Sequence, residues 1–306
     1  MINALVIITT LRCDLKCAHC LQGHPAERPD FPLELYTKLL RDARPYGAKL
    51  ISFSGGEPRL HPQFDEMVRL TVENGYSWNT VSNGQNVAPL LAILEKYGEH
   101  CTKIYFSLDG ATPEIHDEIR QRKGAFERLE NSVRAVLEKG YEVNLTSCLN
   151  QKNKHQVEDL VKLGESWGVN EMKFAGVIPV PGNEGLRLSD AENLALFERI
   201  LELNKDTSLK LHTTSALYTR GGVEFCSVLS LRKLAFNAKG EMLLCCDAQQ
   251  DHAVIGSLRD HALEELMAKW LDTSNAARHE RLARIKSGQM GAGFDTCAFC
   301  DHFSQE

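Results

Sequence analysis

The chain has 306 residues, 43% of them hydrophobic and 25% charged, which is the composition of a globular protein with one large domain or two unequal ones. Its net charge of −6 gives no reason to expect nucleic acid or an anionic membrane as a partner. No apolar run reaches the roughly 20 residues of a membrane span, and no cationic segment precedes the first run, so we expect a cytoplasmic protein. In that compartment, ten cysteines indicate metal binding or catalysis rather than disulfides.

Apolar runs of strand length alternate with segments of helical period as far as about residue 205. Six strand–helix units in succession predict an α/β fold with a parallel sheet. Closure into a partial, TIM-like (β/α)6 barrel would place functional loops at the C-terminal ends of the strands. The predicted strands are 3–8, 50–53, 77–82, 104–108, 142–149 and 171–177, and the main helices are 33–44, 62–73, 87–97, 125–139, 153–167 and 189–204.

The alternation stops after about residue 205. A hairpin is predicted there from 231–237 and 241–246, with its turn at Lys239-Gly240. Two helices are predicted to follow, near 260–271 and 275–287. We therefore expect two domains, 1–205 and 206–306.

Cys13, Cys17 and Cys20 follow the first predicted strand with the spacing C-x3-C-x2-C. Thiolates are soft ligands that favour iron–sulfur clusters, zinc or copper(I). A [4Fe–4S] cluster normally takes four cysteines, so three close together indicate a cluster with one iron open to a substrate or cofactor. The alternatives are a zinc knuckle that uses His19 or His24, and cysteines buried by chance.

A glycine-rich turn, Ser54-Gly55-Gly56-Glu57-Pro58, follows the second predicted strand. Its two glycines let the backbone approach a ligand closely. Together, the cysteine and glycine motifs make the chain resemble the radical S-adenosylmethionine (radical SAM) enzymes, over roughly residues 1–205.

The resemblance implies that Cys13, Cys17 and Cys20 bind three irons of a [4Fe–4S] cluster, and that S-adenosylmethionine chelates the fourth iron. His19 lies where many members have an aromatic residue facing the adenine. For Ser107 and Asp109, a helix-capping turn before Thr112-Pro113 is the alternative. The cofactor-binding residues implied by the resemblance are Gly55, Gly56, Glu57, Pro58, Asn83, Ser107, Asp109 and His19.

The C-terminal part carries a second cysteine pattern. Thirteen residues separate Cys226 from Gly240, four separate Gly240 from Cys245, and a C-x2-C pair comes late in the chain. This resembles the Twitch domain, the truncated form of the SPASM extension of radical SAM enzymes. It implies one auxiliary [4Fe–4S] cluster, and too few cysteines follow for a second. The implied ligands are Cys226, Cys245, Cys297 and Cys300.

Zinc bound by the same four thiolates is an alternative for this second site. Cys246 is the rival of Cys245, because neighbours on a strand point to opposite faces and only one should reach the cluster. For Cys101, Cys148 and Cys246, the default interpretation is a buried small hydrophobe. Cys148, at the end of the fifth strand, is also a catalytic candidate that could donate a hydrogen atom or proton to a substrate radical. We expect His116, Arg120 and Arg122 on a solvated helix face.

The resemblance implies that an electron from an external donor, such as flavodoxin or ferredoxin, cleaves S-adenosylmethionine to a 5′-deoxyadenosyl radical. This radical then abstracts a hydrogen atom from a substrate C–H bond. The favoured substrate is a ribosomally synthesised peptide that is crosslinked, oxidised or epimerised. That group of relatives is large, and residues 174–188 resemble a loop common in its members.

Two further functions are compatible with the motifs. The first is a dehydrogenase of a small molecule such as an aminocyclitol or sugar. A single auxiliary cluster favours it, as does a first strand that begins almost at residue 1, which leaves no room for an N-terminal peptide-recognition module. The second is a non-enzymatic iron–sulfur or zinc scaffold.

Overall fold

A computed structural model describes residues 2–214, 217, 231–246 and 253–288. Cys226, Cys297 and Cys300 lie outside these ranges, so the auxiliary-cluster prediction falls largely outside the described residues.

The strands are β1 (Ala4–Ile8), β2 (Leu50–Ser54), β3 (Ser77–Ser82), β4 (Cys101–Ser107), β5 (Val143–Leu149), β6 (Glu171–Gly176), β7 (Lys210–Thr213), β8 (Lys233–Phe236), β9 (Glu241–Leu243) and β10 (Val254–Ser257). The helices are α1 (Leu33–Ala43), α2 (Phe64–Glu73), α3 (Ala88–Tyr97), α4 (Pro113–Arg120), α5 (Ala125–Glu138), α6 (Val157–Trp167), α7 (Asp190–Asp206) and α8 (Leu263–Lys286).

The strands form one sheet in the order β10-β9-β8-β1-β2-β3-β4-β5-β6-β7. β1 to β7 pair in parallel with their neighbours in sequence order, so their C-terminal ends gather along one edge. Among the described residues, β10 and β7 are the two outer strands, so the sheet is an open, partial barrel. The predicted α/β class and parallel barrel-like sheet are confirmed.

Apolar residues on the outer face of the sheet pack beneath the helices. On α1, Leu35, Leu39 and Leu40 follow helical spacing and are buried. β1 is a nearly continuous apolar run, as expected of a parallel strand between two neighbours. α7 begins with the predicted capping box, in which the side chains of Ser189 and Glu192 each bond the other's backbone amide. These contacts hold the helices on the sheet and so set the positions of the loops between them.

Residues of β1 alternate between two apolar clusters. Leu5 and Ile7 belong to the main core under the helices, whereas Val6 and Ile8 belong to a smaller cluster with Ala235. Successive side chains of a strand point to opposite faces, so the smaller cluster lies on the inner face of the sheet.

Three features beyond residue 205 differ from the prediction. β7 continues the strand–helix alternation, although its four residues show too little patterning to be predicted. The predicted hairpin is present as β8 and β9, and β8 pairs in parallel with β1, so it extends the same sheet. A continuous α8 replaces the two helices predicted near 260–271 and 275–287, because the Thr273–Asn275 stretch lacks the glycine or proline that would stop it. The domain boundary at 205 stays a prediction.

In the described ranges, no helix combines the length and the apolar character that are needed to cross a bilayer.

Candidate functional site

A cavity of about 300 Å³ lies at the C-terminal ends of the parallel strands. Loops from distant parts of the sequence meet there because all of these strands end at the same edge. The predicted site residues that line it are Cys13, Cys17, His19, Cys20, Gly55, Gly56, Asn83, Ser107, Asp109 and Cys148. The structure thus brings the cysteine loop, most of the implied cofactor-binding residues and the catalytic candidate into one place.

The cysteine loop after β1 is fastened at its base and at its middle. The Thr10 hydroxyl donates to Asp30 over 2.6 Å, and Arg12 forms a two-pronged ion pair with the same carboxylate, Nη2 to Oδ2 being 2.9 Å. Further along, the amide of Ala18 donates to the carbonyl of Ile119 at the end of α4 over 2.9 Å. The positions of the three cysteines are therefore set by both the preceding strand and a helix of the barrel.

The thiols of this loop are surrounded by hydrogen-bond donors. The amide of Leu15 lies 3.4 Å from Cys13 Sγ, and Arg120 Nη1 lies 3.4 Å from Cys17 Sγ. Burial raises the pKa of Cys13 to about 11 and also raises the pKa of Cys20, so a thiolate here needs a cationic partner. Donors aimed at sulfur, together with a partly dry pocket, suit thiolates that bind iron.

The donor set of the cysteine loop was tested against one metal ion and against a cluster by its chemistry: it offers three thiols, with His19 and His24 nearby in sequence. The described residues contain no group of three His, Cys, Asp or Glu side chains close enough to hold one metal ion. In a cluster each cysteine binds a different iron, so its sulfurs need not converge on one point. Three thiolates suit a [4Fe–4S] cluster with one iron open, and His24, a candidate zinc ligand, bonds instead to the Cys17 carbonyl over 3.3 Å.

The glycine turn after β2 lies directly against the cysteine loop. The amide of Gly56 donates to the carbonyl of Thr10 and the amide of Glu57 to that of Arg12, both over 2.8 Å. A Cβ on Gly55 would stand 2.5 Å from the Thr10 carbonyl oxygen, and one on Gly56 would meet that of Arg12. Gly55 also has a φ of 140°, which residues with side chains rarely adopt. Glycine is thus required for the two loops to pair.

Glu57 and Pro58 are buried behind this turn and are not part of the cavity wall. Glu57 Oε1 accepts from the Ser82 hydroxyl over 3.0 Å, and Oε2 accepts from the amide of Asn83 over 2.7 Å. Burial raises the pKa of Glu57 to about 7. The carboxylate therefore joins the turn after β2 to the end of β3 and leaves Asn83 at the cavity.

Asp109 is the hub of a buried polar network beside the cysteine loop. Its Oδ2 lies 2.7 Å from His19 Nε2 and 2.6 Å from Arg120 Nη2, and its Oδ1 accepts from the amide of Cys148 over 2.7 Å. Burial opposes ionisation of this carboxyl, but the Arg120 cation and the hydrogen bonds with His19 and the Cys148 amide hold its pKa below the usual range. His19 Nδ1 is buried and has no hydrogen-bond partner among the described residues.

Arg120 and His116 correct the prediction of a solvated face on α4. His116 is fully buried, Arg120 is 8% exposed, and only Arg122 is at the surface. His116 Nδ1 accepts from the amide of Asp109 over 3.2 Å. The two residues lie one helical turn apart, on the same side of α4 as the buried Ile119. Their i, i+4 spacing next to an apolar residue was the available indication that they share its buried face.

The other four cysteines in the described ranges are distributed over three environments. Cys148 is partly buried at the cavity wall, and burial raises the pKa of its thiol. Cys101, at the other end of β4, packs against the main core. Cys245 also packs against that core, whereas Cys246 belongs to the inner cluster and lines the cavity. Two adjacent cysteines thus lie in different surroundings, as expected for strand neighbours.

A polar row crosses the inner face of the sheet and starts at the cavity wall, where Ser107 and Thr146 lie. Strand register places Ser107, Thr146, Lys173 and His212 side by side on β4 to β7. The residues on either side of Lys173 in β6, Met172 and Phe174, are in the core under the helices, so the row faces away from them. Along this row the inner face of the sheet is therefore polar.

The Radical SAM superfamily matches residues 7–164, just over half of the chain. The chain belongs to the radical SAM superfamily. The matched region contains the end of β1, the cysteine loop, the glycine turn and β2 to β5, the elements that form most of the cavity.

Two curated relatives are similar to the chain over most of its length. The AdoMet-dependent heme synthase of Methanosarcina barkeri is 23% identical over 211 residues, which cover 68% of this chain and 60% of that protein. The mycofactocin maturase MftC of Mycobacterium ulcerans is 23% identical over 309 residues, which cover 96% of this chain and 79% of that protein. The chain therefore spans less than two thirds of the heme synthase but most of the maturase.

Among solved structures, Streptococcus suis SuiB bound to its precursor peptide SuiA superposes on this radical SAM chain with a TM-score of 0.72. The sequences are 18% identical, and the match covers 89% of this chain and 65% of SuiB. At this identity the likeness concerns the fold. It extends beyond the residues 7–164 that the superfamily matches.

Proposed function

We propose that this radical SAM protein is an enzyme that modifies a ribosomally synthesised peptide. The observation that carries the proposal is the match to a mycofactocin maturase over 96% of the chain, which includes the C-terminal part. The fold likeness to SuiB with its precursor peptide supports it. The polar inner row that includes Ser107 and Thr146 offers hydrogen-bonding groups suited to a peptide main chain.

The cavity residues divide into two roles in this proposal. Cys13, Cys17 and Cys20 would hold a [4Fe–4S] cluster, and the turn at Gly55-Gly56 would bind S-adenosylmethionine beside it. Once reduced, the cluster and S-adenosylmethionine would supply a 5′-deoxyadenosyl radical for hydrogen abstraction. His19 is a candidate for the adenine end, because its Nδ1 has no hydrogen-bond partner among the described residues. Asn83, Ser107 and Asp109 would complete or support the pocket.

Cys148 is the candidate hydrogen donor. Its thiol lies at the cavity wall, and burial raises its pKa, so it stays protonated at neutral pH. A thiol that donates a hydrogen atom to a substrate carbon radical forms a C–H bond and leaves a thiyl radical, which an external one-electron donor such as a flavodoxin or ferredoxin would reduce. This sequence of steps gives epimerisation, whereas loss of an electron from the substrate radical gives oxidation or a crosslink.

An auxiliary [4Fe–4S] cluster held by Cys226, Cys245, Cys297 and Cys300 would accept the electron in the oxidative case. Four thiolates leave no open iron, so this cluster would carry electrons rather than bind substrate. Placement of Cys246 at the cavity and Cys245 away from it favours Cys245 as the ligand.

Modification of a tetrapyrrole is a second candidate function, because a heme synthase is among the relatives. The polar row in the barrel favours a polar, hydrogen-bonding substrate over a mainly apolar one. It does not separate a peptide from a sugar, so oxidation of a small alcohol is a third candidate. A non-enzymatic iron–sulfur or zinc scaffold would bind its metal without cleaving S-adenosylmethionine, and the first stage of the test below separates it from all three enzymes.

The test has two stages. Anaerobically reconstituted protein is incubated with dithionite and S-adenosylmethionine, and 5′-deoxyadenosine is measured. The Cys17→Ala variant should form none, and Cys101→Ala, which alters a thiol outside the cavity, should match the wild type. No 5′-deoxyadenosine from the wild type would contradict the enzyme proposal. Turnover is then compared on a synthetic peptide encoded beside the gene, an iron porphyrin and an aminocyclitol, and reaction with only one of the latter two would overturn the peptide assignment.

A further inference from the structure

A single guanidinium connects the cysteine loop to the buried carboxylate of the site. Arg120 Nη1 lies 3.4 Å from Cys17 Sγ, and Nη2 lies 2.6 Å from Asp109 Oδ2. The side chains of Arg120 and Asp109 are only 10% and 1% exposed. We propose that this pair tunes the reduction potential of the cluster held by Cys17, with Arg120 raising the potential and Asp109 lowering it.

The electrostatic reason is the charge that the cluster gains on reduction. A cation within hydrogen-bonding distance of a ligand sulfur stabilises the additional negative charge, so reduction becomes easier. A nearby carboxylate has the opposite effect. Both groups are buried. Screening by water and salt is weak in the buried site, so the two charges act more strongly there than they would at the surface. The pair therefore acts on the cluster as two opposing charges, of which the cation bonds the ligand sulfur of Cys17 directly.

Anchoring of the cysteine loop does not by itself account for Arg120. The loop is already joined to α4 by the backbone hydrogen bond from Ala18 to Ile119, 2.9 Å long. Arg120 Nε is buried without a hydrogen-bond partner in the described part of the chain, so part of the donor capacity is left unused. Burial of an arginine carries a desolvation cost. A role for its positive charge beside the cluster explains why Arg120 is buried with one donor directed at sulfur.

The carboxylate is held in place by groups other than Arg120. His19 Nε2 and the amide of Cys148 both bond Asp109, at 2.7 Å each. An asparagine at position 109 can keep an acceptor for the Cys148 amide while its charge is removed. The two charges of the pair can thus be changed separately.

The experiment is an anaerobic redox titration of the reconstituted full-length protein, followed by electron paramagnetic resonance. The signal that changes on addition of S-adenosylmethionine identifies the three-cysteine cluster. Arg120→Gln should shift its midpoint potential to a more negative value, and Asp109→Asn should shift it to a more positive one. Arg120→Lys keeps the charge and should lie between wild type and Arg120→Gln.

The exposed ion pair Arg134–Glu130, with a separation of 2.5 Å, provides the matched control. Arg134→Gln and Glu130→Gln should leave the potential unchanged, because water and salt screen both charges. Shifts of the same sign in Arg120→Gln and Asp109→Asn, or shifts no larger than those of the control pair, would overturn the inference. Loss of the signal in both variants would make the pair a structural support and would overturn it as well.

This inference rests on the proposed role of Cys17 as a cluster ligand. The two can fail separately. If wild-type protein shows no signal that responds to S-adenosylmethionine, the proposed site is wrong. If the signal is present and insensitive to the charge at positions 109 and 120, the site stands and only the tuning role is wrong.

Discussion

The backbone amide of Gly56 lies 2.8 Å from the carbonyl oxygen of Thr10, so the turn after β2 is hydrogen-bonded to the loop that carries the three cysteines. The next amide, that of Glu57, repeats the contact at Arg12 over the same distance. The glycine turn and the cysteine loop thus form one two-stranded unit at the mouth of the barrel. A ligand bound to one of them is placed relative to the other.

A methyl group at position 56 should separate these two loops. We expect Gly56→Ala to cost about 2 kcal/mol or more in the free energy of unfolding, because its Cβ meets a backbone carbonyl that cannot move aside. Iron content after reconstitution and formation of 5′-deoxyadenosine should both fall. Gly185→Ala is the control, since its Cβ has no neighbour within 4 Å. Equal stability and iron content in the two variants would show that the loops do not depend on this contact.

Replacement of Cys245 and of Cys246, two adjacent cysteines, gives a matched pair of variants that tests the proposed auxiliary cluster. Two [4Fe–4S] clusters give about eight irons per chain. Cys245→Ala should reduce this to about four while S-adenosylmethionine cleavage continues, because the three-cysteine loop is untouched. Cys246→Ala should keep about eight, since its side chain lines the cavity. The reverse result would make Cys246 the ligand, and full iron in both would remove the hairpin from the auxiliary site. Iron and sulfide analysis decides between these outcomes.

His116 should make the stability of the protein depend on pH. Burial lowers the pKa of this imidazole to about 4, so the folded protein keeps it neutral. A lowered pKa gives stability that is complete above the ordinary value near 6.5 and is lost as the pH falls towards 4. From about pH 7.5 to about pH 5, the wild type should lose about 2 kcal/mol more than His116→Gln, which does not titrate.

Urea denaturation of the apo-proteins at the two pH values measures this difference directly. His61, whose pKa is also lowered by burial, acts equally in both proteins and cancels. Parallel loss of stability in wild type and His116→Gln would show that His116 is protonated in the folded state.

The sequence was sufficient for the barrel frame and for the cavity wall formed by Cys13, Gly55 and Asn83. Strand–helix alternation sets the order of parallel strands, and parallel strands end at one edge, so motifs that follow different strands have to meet. The pair Arg120–Asp109 could not be predicted in the same way. Charged residues on a short helix are usually solvated. The i, i+4 spacing of His116 and Arg120 indicates a shared helix face, but it does not show that this face packs against the cysteine loop and Asp109.

The direction of the Glu57 side chain could not be predicted from the sequence either. The family resemblance named it among the residues that bind the cofactor, but its carboxylate is turned towards Ser82 and the amide of Asn83. The motif identified the position, and the direction of the side chain followed from the unpaired backbone donor at the end of β3.

Cys148 should be the source of a hydrogen atom if the enzyme epimerises its peptide. In D2O the thiol carries deuterium, so the product carbon should gain one deuterium from the wild type. Cys148→Ala should still form 5′-deoxyadenosine but should yield no deuterated product, because the cluster loop is intact and the donor is gone. Cys101→Ala, which removes a thiol packed against the main core, should behave as wild type. Deuterium in the product of Cys148→Ala would place the donor elsewhere. A product oxidised by two electrons and free of solvent deuterium would instead favour the oxidative route, in which the auxiliary cluster accepts the electron.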